Sequence, residues 1–278
     1  MKHCRLYSWM ILSALIGSFV ITACASDHKK QQEANYKQFM ANDSIPDVLK
    51  NIVKAVYTND TSLLANQVSY PLQRPYPLKD IKDKNEFKAY YTVLVDDSLR
   101  NVILSSTPSD WQEFGWRGYS LHDGSYVWVS DSLYAVNYIS KREQALIDSL
   151  TNVEIKSLPS QLGAGWSPVL SLVSDDNSRL YRIDRHPADN TDADFLYRLS
   201  IYDFNDSPEN LLKMPEQILN GTESVEGSAN IISYVFKDKA GNQYVIFPED
   251  VDSAAPMLYL PDGSQEQLDK AYWYELIP

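Results

Sequence analysis

The side chains that most often perform catalysis or bind metal ions are sparse in this sequence. Of the four histidines, only His122 and His186 lie beyond the first 30 residues. His122-Asp123-Gly124 is typical of a tight turn, and Asp184 and His186 are expected to be exposed at a strand end. No HExxH zinc motif, GxSxG nucleophile motif or glycine-rich phosphate loop occurs. We therefore predict no catalytic residue, no metal site and no cofactor.

An acidic loop is the one place where the sequence clusters hard oxygen ligands. Asp189, Asp192 and Asp194 lie within HPADNTDADF. Carboxylate oxygens are ligands that Ca²⁺ prefers, but the spacing lacks the Gly and Glu of an EF-hand loop. We predict a solvated acidic loop, and calcium binding is the alternative that remains open.

Aromatic residues are concentrated in one short stretch. The densest group consists of Trp111, Phe114, Trp116, Tyr119, Tyr126 and Trp128. In a strand, Tyr126 and Trp128 share one face and Val127 and Val129 the other. Aromatic faces can stack on sugars or line an apolar pocket, yet such strands more often supply the core. Both interpretations remain open, and the predicted ligand pocket consists of Trp116, Arg117, Tyr126 and Trp128.

The beginning of the chain is typical of an exported protein. Lys2 and Arg5 precede an apolar run of 14 residues, from Trp9 to Thr22. That run is shorter than the roughly 20 residues of a transmembrane helix and matches the core of a secretory signal. The last two residues of this run and the two that follow, Ile21 to Cys24, read Ile-Thr-Ala-Cys, which resembles the lipobox of bacterial lipoproteins.

The lipobox resemblance implies a lipid anchor. It implies that residues 1–23 are a signal peptide cut after Ala23, that Cys24 is lipidated, and that its new amino group is acylated. Two or three acyl chains hold a protein stably at a bilayer, whereas one does so only marginally. Ala25 directly after the cysteine resembles the lipoproteins that are transferred to the outer membrane. Whether the protein faces the periplasm or the cell surface is left open. Residues 24–40 are predicted to be a polar tether. An ordinary secretory signal or an uncleaved anchor is the alternative.

Charge and cysteine content exclude several classes of protein. The 278-residue chain has 25 Lys and Arg against 37 Asp and Glu, which gives a net charge of −12. Nucleic-acid binding needs a basic surface that neutralises phosphates, so we predict no nucleic-acid partner. The second cysteine, Cys4, lies in the predicted signal peptide, so no disulfide framework is expected.

Two helices are predicted early in the chain. Apolar residues recur at the spacing of one helix face over Ile45–Tyr57, after a capping-box pattern at Ser44–Asp47. A second helix face extends over Phe87–Val95, and Asp83 and Glu86 fit a capping box at its start.

Strands are predicted to follow these helices. Gly115–Ser120 and Ser125–Ser130 flank the His122-Asp123-Gly124 turn, and Leu133–Ser140 continues as a third strand. The order of elements, with SYPL, IKDKNEF and GWRGYSLHDGSYVWV, resembles the NTF2-like or cystatin-like α+β cone. The resemblance implies an NTF2-like domain over residues 41–150. Many members of that superfamily are non-enzymatic, and others are isomerases or dehydratases.

The remainder of the chain is predicted to be almost entirely β. Lys141–Leu150 is a predicted helix, and residues 152–278 form an all-β sandwich or small barrel. The predicted strands are Pro168–Ser174, Arg179–Arg185, Phe195–Phe204, Ile231–Lys237, Gln243–Phe247, Pro256–Leu260 and Lys270–Leu276. FLYRLSIYDF and GNQYVI resemble a β-domain of Gram-negative envelope proteins, and faintly the periplasmic lysozyme inhibitors. Those inhibitors usually carry a disulfide, which this segment lacks.

These observations predict an α+β protein anchored in the bacterial cell envelope. We expect a non-catalytic binding module, with the bilayer as one partner and an envelope protein or a small apolar or glycan ligand as another. Two alternatives remain: a small-molecule hydrolase or isomerase that uses the cone, and an inhibitor or immunity-type protein that acts on an envelope enzyme. The class of fold supports this expectation only by analogy.

Overall fold

The computed structural model describes residues 27–188, 194–205, 207–226, 231–249 and 255–277. Contacts divide the chain into two compact units. The first unit contains the described residues up to Arg74 together with Asp80–Glu143, and the second contains Pro75–Lys79 and the described residues from Gln144 onward. The fold is α+β.

The helices are bounded as follows. They are α1 (27–41), α2 (Asp47–Thr58), α3 (Thr61–Ala65), α4 (Lys84–Leu94), α5 (Asp97–Ser105), α6 (Lys141–Ser157), α7 (Ser160–Gly163) and α8 (Trp273–Leu276). Three short 3₁₀ turns lie at Pro108–Asp110, Gly115–Arg117 and Pro208–Leu212.

The strands belong to two separate sheets. The first unit contains β1 (Trp111–Glu113), β2 (Tyr119–Leu121), β3 (Val127–Val129) and β4 (Leu133–Val136). The second contains β5 (Ser167–Ser174), β6 (Arg179–Pro187), β7 (Phe195–Asp203), β8 (Gln217–Glu226), β9 (Ile231–Lys237), β10 (Gln243–Phe247), β11 (Met257–Tyr259) and β12 (Gln265–Ala271).

The two helices predicted from periodicity are present in the first unit. Leu49, Ile52 and Val53 of α2 are buried as the pattern predicts. Pro46 precedes α2 and no side chain caps it, so the predicted Ser44 capping box is wrong: the Ser44 hydroxyl donates to Asn42 instead. Asp83 does cap α4, because its carboxylate accepts from the backbone N–H groups of the first turn.

The tether prediction is wrong for residues 27–40, which lie within helix α1. Phe39 is fully buried in the core of the first unit, and Tyr36 stacks on Tyr57 with 4.0 Å between ring centroids. The Asn35 amide donates to the Ser105 carbonyl at 2.7 Å. The polar sequence hides this packing because so few of its residues are apolar.

A four-stranded antiparallel sheet completes the first unit, in the order β1-β2-β3-β4. The predicted hairpin is confirmed: Leu121 pairs with Val127, and His122, Asp123 and Gly124 all have positive φ in the turn. Residues 115–117 were expected to be strand and instead form a 3₁₀ turn, since strand β2 begins only at Tyr119.

A buried ion pair lies at the start of α6 in the first unit. Arg74 donates from Nε and Nη2 to the two carboxylate oxygens of Glu143, each at 2.8 Å, and both side chains are fully buried. The remaining Arg74 donors reach the carbonyls of Val136 and Tyr138. Glu143 and Ser140 also exchange the two hydrogen bonds of a capping box.

The second unit contains an eight-stranded closed antiparallel barrel. Each strand from β5 to β12 pairs with its neighbour in sequence, and β12 pairs back to β5. Of the two predicted architectures, the barrel is therefore the one present. The barrel is filled by Leu170, Leu172, Tyr181, Ile183, Tyr197, Leu199, Ile201, Leu219, Tyr234, Phe236, Ile246, Leu258 and Leu268. These residues alternate with outward-facing ones, as a pleated strand requires.

Three element predictions in this part of the chain need correction. Residues 270–276 were expected to be one strand, but β12 ends at Ala271 and α8 follows it. The periodicity did not predict β8, whose sequence ILNGTESVE is mostly polar and exposed. Helix α6 continues to Ser157, beyond the predicted end at Leu150.

Charged residues on the outer wall of the barrel are buried. Along β6, Tyr181 and Ile183 face the barrel interior, so Arg182 and Asp184 point outward. Both are nevertheless buried, on the wall where a second apolar cluster lies. Asp184 was expected to be exposed, and this prediction is wrong. A charged residue within a strand is normally predicted to be exposed, because burying a charge costs free energy.

These charges form a connected network that we call the outer-wall cluster: Tyr76, Glu154, Arg182, Asp184 and Arg198. Arg182 donates to Glu154 at 3.1 Å and to Asp184 at 2.9 Å, and Arg198 donates to the other Asp184 oxygen at 2.8 Å. The Tyr76 hydroxyl donates to Glu154 at 2.7 Å. Burial raises the pKa of Glu154, so the folded unit holds that proton more tightly than the unfolded chain.

We expect Asp184→Asn to destabilise the protein by about 3–5 kcal/mol, because it leaves two buried guanidinium groups facing one carboxylate. Urea unfolding followed by circular dichroism measures the change. Asp269→Asn is the matched control, since Asp269 is exposed on β12 and should change stability by less than about 0.5 kcal/mol. Equal stability of the two variants would contradict the role given to the cluster.

Candidate functional site

Exposed or partly exposed aromatic rings lie on the outward side of the small sheet and on the turn that precedes β2. We call Phe114, Trp116, Trp128 and Tyr134 the aromatic face. Val127 and Val129 are 2% and 0% exposed in the core, so alternation along β3 turns Trp128 to the other side of the sheet. The sequence therefore places core and surface residues on one three-residue strand.

Three of these rings contact one another. The ring centroids of Phe114 and Trp128 lie 5.2 Å apart, and those of Trp128 and Tyr134 lie 6.5 Å apart. The Tyr134 hydroxyl donates to the Arg117 carbonyl at 3.1 Å, and partial burial raises the pKa of Tyr134. Such tilted aromatic pairs are favourable arrangements of the ring quadrupoles.

A glycine in the hairpin turn makes room for the central indole. Gly124 has a φ of +80°, and a Cβ built there would lie 2.4 Å from the Trp128 Nε1 atom. Any other residue would both strain the turn and displace the ring. The turn and the aromatic face are thus coupled through a single position.

Trp116 is the most exposed large hydrophobic residue in the described part of the chain, at 82%. It lies on the Gly115–Arg117 turn, and the Arg117 guanidinium lies over its ring at 5.4 Å. The Arg117 Nη2 atom is buried and has no hydrogen-bond partner among the described residues. The aromatic face therefore combines exposed rings with a nearby, partly exposed guanidinium group.

Tyr126 belongs to a different group from the other predicted pocket residues. Its ring stacks on Tyr138 at 5.7 Å and contacts His122 at 5.6 Å, and it packs partly against the core. Trp116 and Arg117 lie together on the Gly115–Arg117 turn, and the Arg117 carbonyl accepts from Tyr134, whose ring contacts Trp128. Tyr134 lies in a predicted strand but is not among the predicted pocket residues.

The interior of the first unit is packed with apolar side chains. The sheet contributes Trp111, Leu121 and Val127, and the helices contribute Phe39 and Phe87 among others. Neither His122 nor His186 belongs to this apolar interior. His122 is exposed in the hairpin turn, and His186 is half-buried against the Trp166 ring.

Several predicted features fall outside the described residues. These are Cys24, Asp189 and Asp192, whereas Asp194 is described and exposed. Within the described ranges, no group of three or more metal-ligating side chains converges. No helix among the same residues is long and apolar enough to cross a membrane.

We expect Trp116→Ala to change stability by less than about 0.5 kcal/mol, since the side chain is largely in solvent. Trp111→Ala should cost about 3–5 kcal/mol, because Trp111 is only 4% exposed and packs against Phe39. Thermal unfolding of the two variants measures this difference. A large loss of stability in Trp116→Ala would show that the face is part of the core.

Comparisons of the chain with known protein families, with curated proteins and with solved structures find no match.

Proposed function

We propose that this protein is a lipid-anchored, non-catalytic binding protein of the bacterial cell envelope, and that it contacts its ligand through the aromatic face. The proposal rests on the exposure of Trp116, whose large aromatic ring is 82% exposed to solvent on a short turn. Exposing such a ring forgoes roughly 1.5–3 kcal/mol of burial free energy, so a partner that covers it gains that energy.

The chemistry of the face favours a neutral glycan as the ligand. Ring faces stack on the apolar C–H faces of sugars, and the partly exposed Arg117 guanidinium lies beside the Trp116 ring. Nucleic-acid bases also stack on aromatic rings, but binding a nucleic-acid backbone needs many cations along an extended surface, and the chain has 25 Lys and Arg against 37 Asp and Glu. A protein partner is the alternative outcome of the test below.

The packed interior of the first unit supports binding at the surface rather than catalysis inside a cone. We propose that this unit is NTF2-like on two grounds: its helices precede an antiparallel four-stranded meander, and the sequence SYPL…IKDKNEF fits that family. In an NTF2-like unit, the apolar side chains that fill the interior would leave no room there for a substrate.

The anchor in this proposal is the acylated Cys24. The apolar segment before it has the length of the hydrophobic core of a secretory signal, and several acyl chains suffice for stable attachment. Outer-membrane residence follows from Ala25 in the position after the cysteine.

We expect Cys24→Ala to abolish incorporation of radioactive palmitate and to release the protein from the membrane fraction. The matched control is Cys4→Ala, which removes the other cysteine from the predicted signal peptide and should leave labelling intact. Persistent labelling of the Cys24→Ala variant would show that the anchor assignment is wrong.

We expect the protein to be retained on at least one immobilised neutral polysaccharide from a panel of glucan, mannan, xylan and galactan. Trp116→Ala should weaken this binding at least tenfold while stability is unchanged. Met214→Ala is the control, because Met214 is also exposed, at 51%, but lies in the second unit. Binding that survives Trp116→Ala, or retention on none of the polysaccharides, contradicts the glycan proposal.

A further inference from the structure

A cleft in the first unit, separate from the aromatic face, is bordered by three cations. This cleft, of about 810 Å³, is bordered by Arg100 of α5 and by Lys141 and Arg142 at the start of α6. We call these three side chains and the space between them the basic cleft. None of its lining residues belongs to the aromatic face.

Neutral oxygen atoms hold the two guanidinium groups in place. Arg100 donates to the Asn59 side-chain oxygen and to the Tyr57 carbonyl, each at 3.1 Å. Arg142 donates to the Thr92 carbonyl at 3.0 Å. These hydrogen bonds orient the planar guanidinium groups, but neutral acceptors do not neutralise their positive charge. Among the described residues, none of the three cations forms an ion pair within 4.0 Å.

Two carboxylates also line the cleft, and one of them is already engaged. Asp96 accepts from the Leu99 N–H at the start of α5 and from the Tyr138 hydroxyl, each at 3.0 Å. Asp97 is exposed in the first turn of the same helix. The local balance is therefore positive, with three cations against Asp96 and Asp97.

This local balance outweighs the acidity of the whole chain. Charges separated by more than about 8 Å are largely screened at physiological ionic strength. A ligand inside the basic cleft therefore experiences its nearest charges, which are Arg100, Lys141 and Arg142, more strongly than the distant acidic surface. Arginine forks match the oxygen geometry of a phosphate group.

We propose that the basic cleft binds a phosphate group carried by a small polar molecule or a lipid headgroup. Three cations suit a phosphate dianion better than a single carboxylate, which one arginine already satisfies. The remaining lining includes the hydroxyl groups of Thr61 and Ser98 and the amide of Asn59, which suit the polar atoms around such a group. This inference does not depend on the glycan proposal.

The test uses the full chain and titrates inorganic phosphate while backbone amide resonances are followed by NMR. Saturable shifts at Arg100, Lys141 and Arg142 are expected, and they should weaken as salt is added. The double substitution Lys141→Gln with Arg142→Gln should reduce affinity at least tenfold. Because both side chains are exposed, the variant should keep the thermal midpoint of the natural protein.

Lys239→Gln is the matched control, because it removes one positive charge from an exposed turn of the second unit and should not change affinity for phosphate.

Binding to vesicles distinguishes a lipid headgroup from a soluble phosphate ester. These measurements use the Cys24→Ala variant, so that acyl chains on the protein do not contribute to membrane binding. Co-sedimentation with phosphatidic acid vesicles, but not with phosphatidylcholine vesicles, assigns a lipid headgroup. Phosphate binding without co-sedimentation assigns a soluble phosphate ester. No saturable shift, or equal affinity in the double variant, overturns the proposal.

Discussion

Alternation of side chains along strand β3 is the constraint on which the candidate binding surface depends. Val127 and Val129 are drawn into the core by the hydrophobic effect, and this fixes Trp128 on the opposite side. A shift of one residue in register would bury Trp128 and expose the two valines. The pairing of Leu121 with Val127 across the tight turn holds the register. The aromatic face is thus a consequence of how the core is packed.

Buried charge organises the rest of the structure within each unit separately. In the first unit, Arg74 binds both Glu143 and the Val136 carbonyl at the end of β4. In the second unit, the outer-wall cluster connects Glu154 of α6 to Arg182 of the barrel. Such groups add little net stability compared with well-packed apolar residues, but each is costly to break. Their value lies in geometry, because a bidentate arginine tolerates only one arrangement of its partners.

Much of the fold follows from periodicity, and the exceptions have identifiable causes. Helices α2 and α4 and most barrel strands have clear apolar patterns, so the sequence predicts them. Helix α1 and strand β8 do not, because their surfaces are mostly polar and only a few side chains are buried. The start of α6 has the Ser-x-x-Glu spacing of a capping box at Ser140 and Glu143, a signal that was not used to predict this helix.

The candidate sites were predictable to different degrees. Aromatic clustering is a local property of the sequence, and it led to the prediction of Trp116, Arg117 and Trp128 as pocket residues. Tyr126, predicted with them, contacts Tyr138, which lies beyond the next strand. The outer-wall cluster and the basic cleft could not be predicted, because their members are brought together from distant parts of the chain. Arg100 and Arg142, for example, belong to no common motif, and yet they line the same cleft.

Hydroxyl-radical footprinting of the protein bound to the polysaccharide that retains it tests the central claim most directly. Exposed tryptophans are oxidised quickly, so Trp116 should be modified in the free protein and protected in the complex. The buried rings of Trp111 and Trp273 should react slowly in both states. Oxidation of Trp116 at the same rate with and without the polysaccharide would contradict the assignment of the aromatic face as the binding surface.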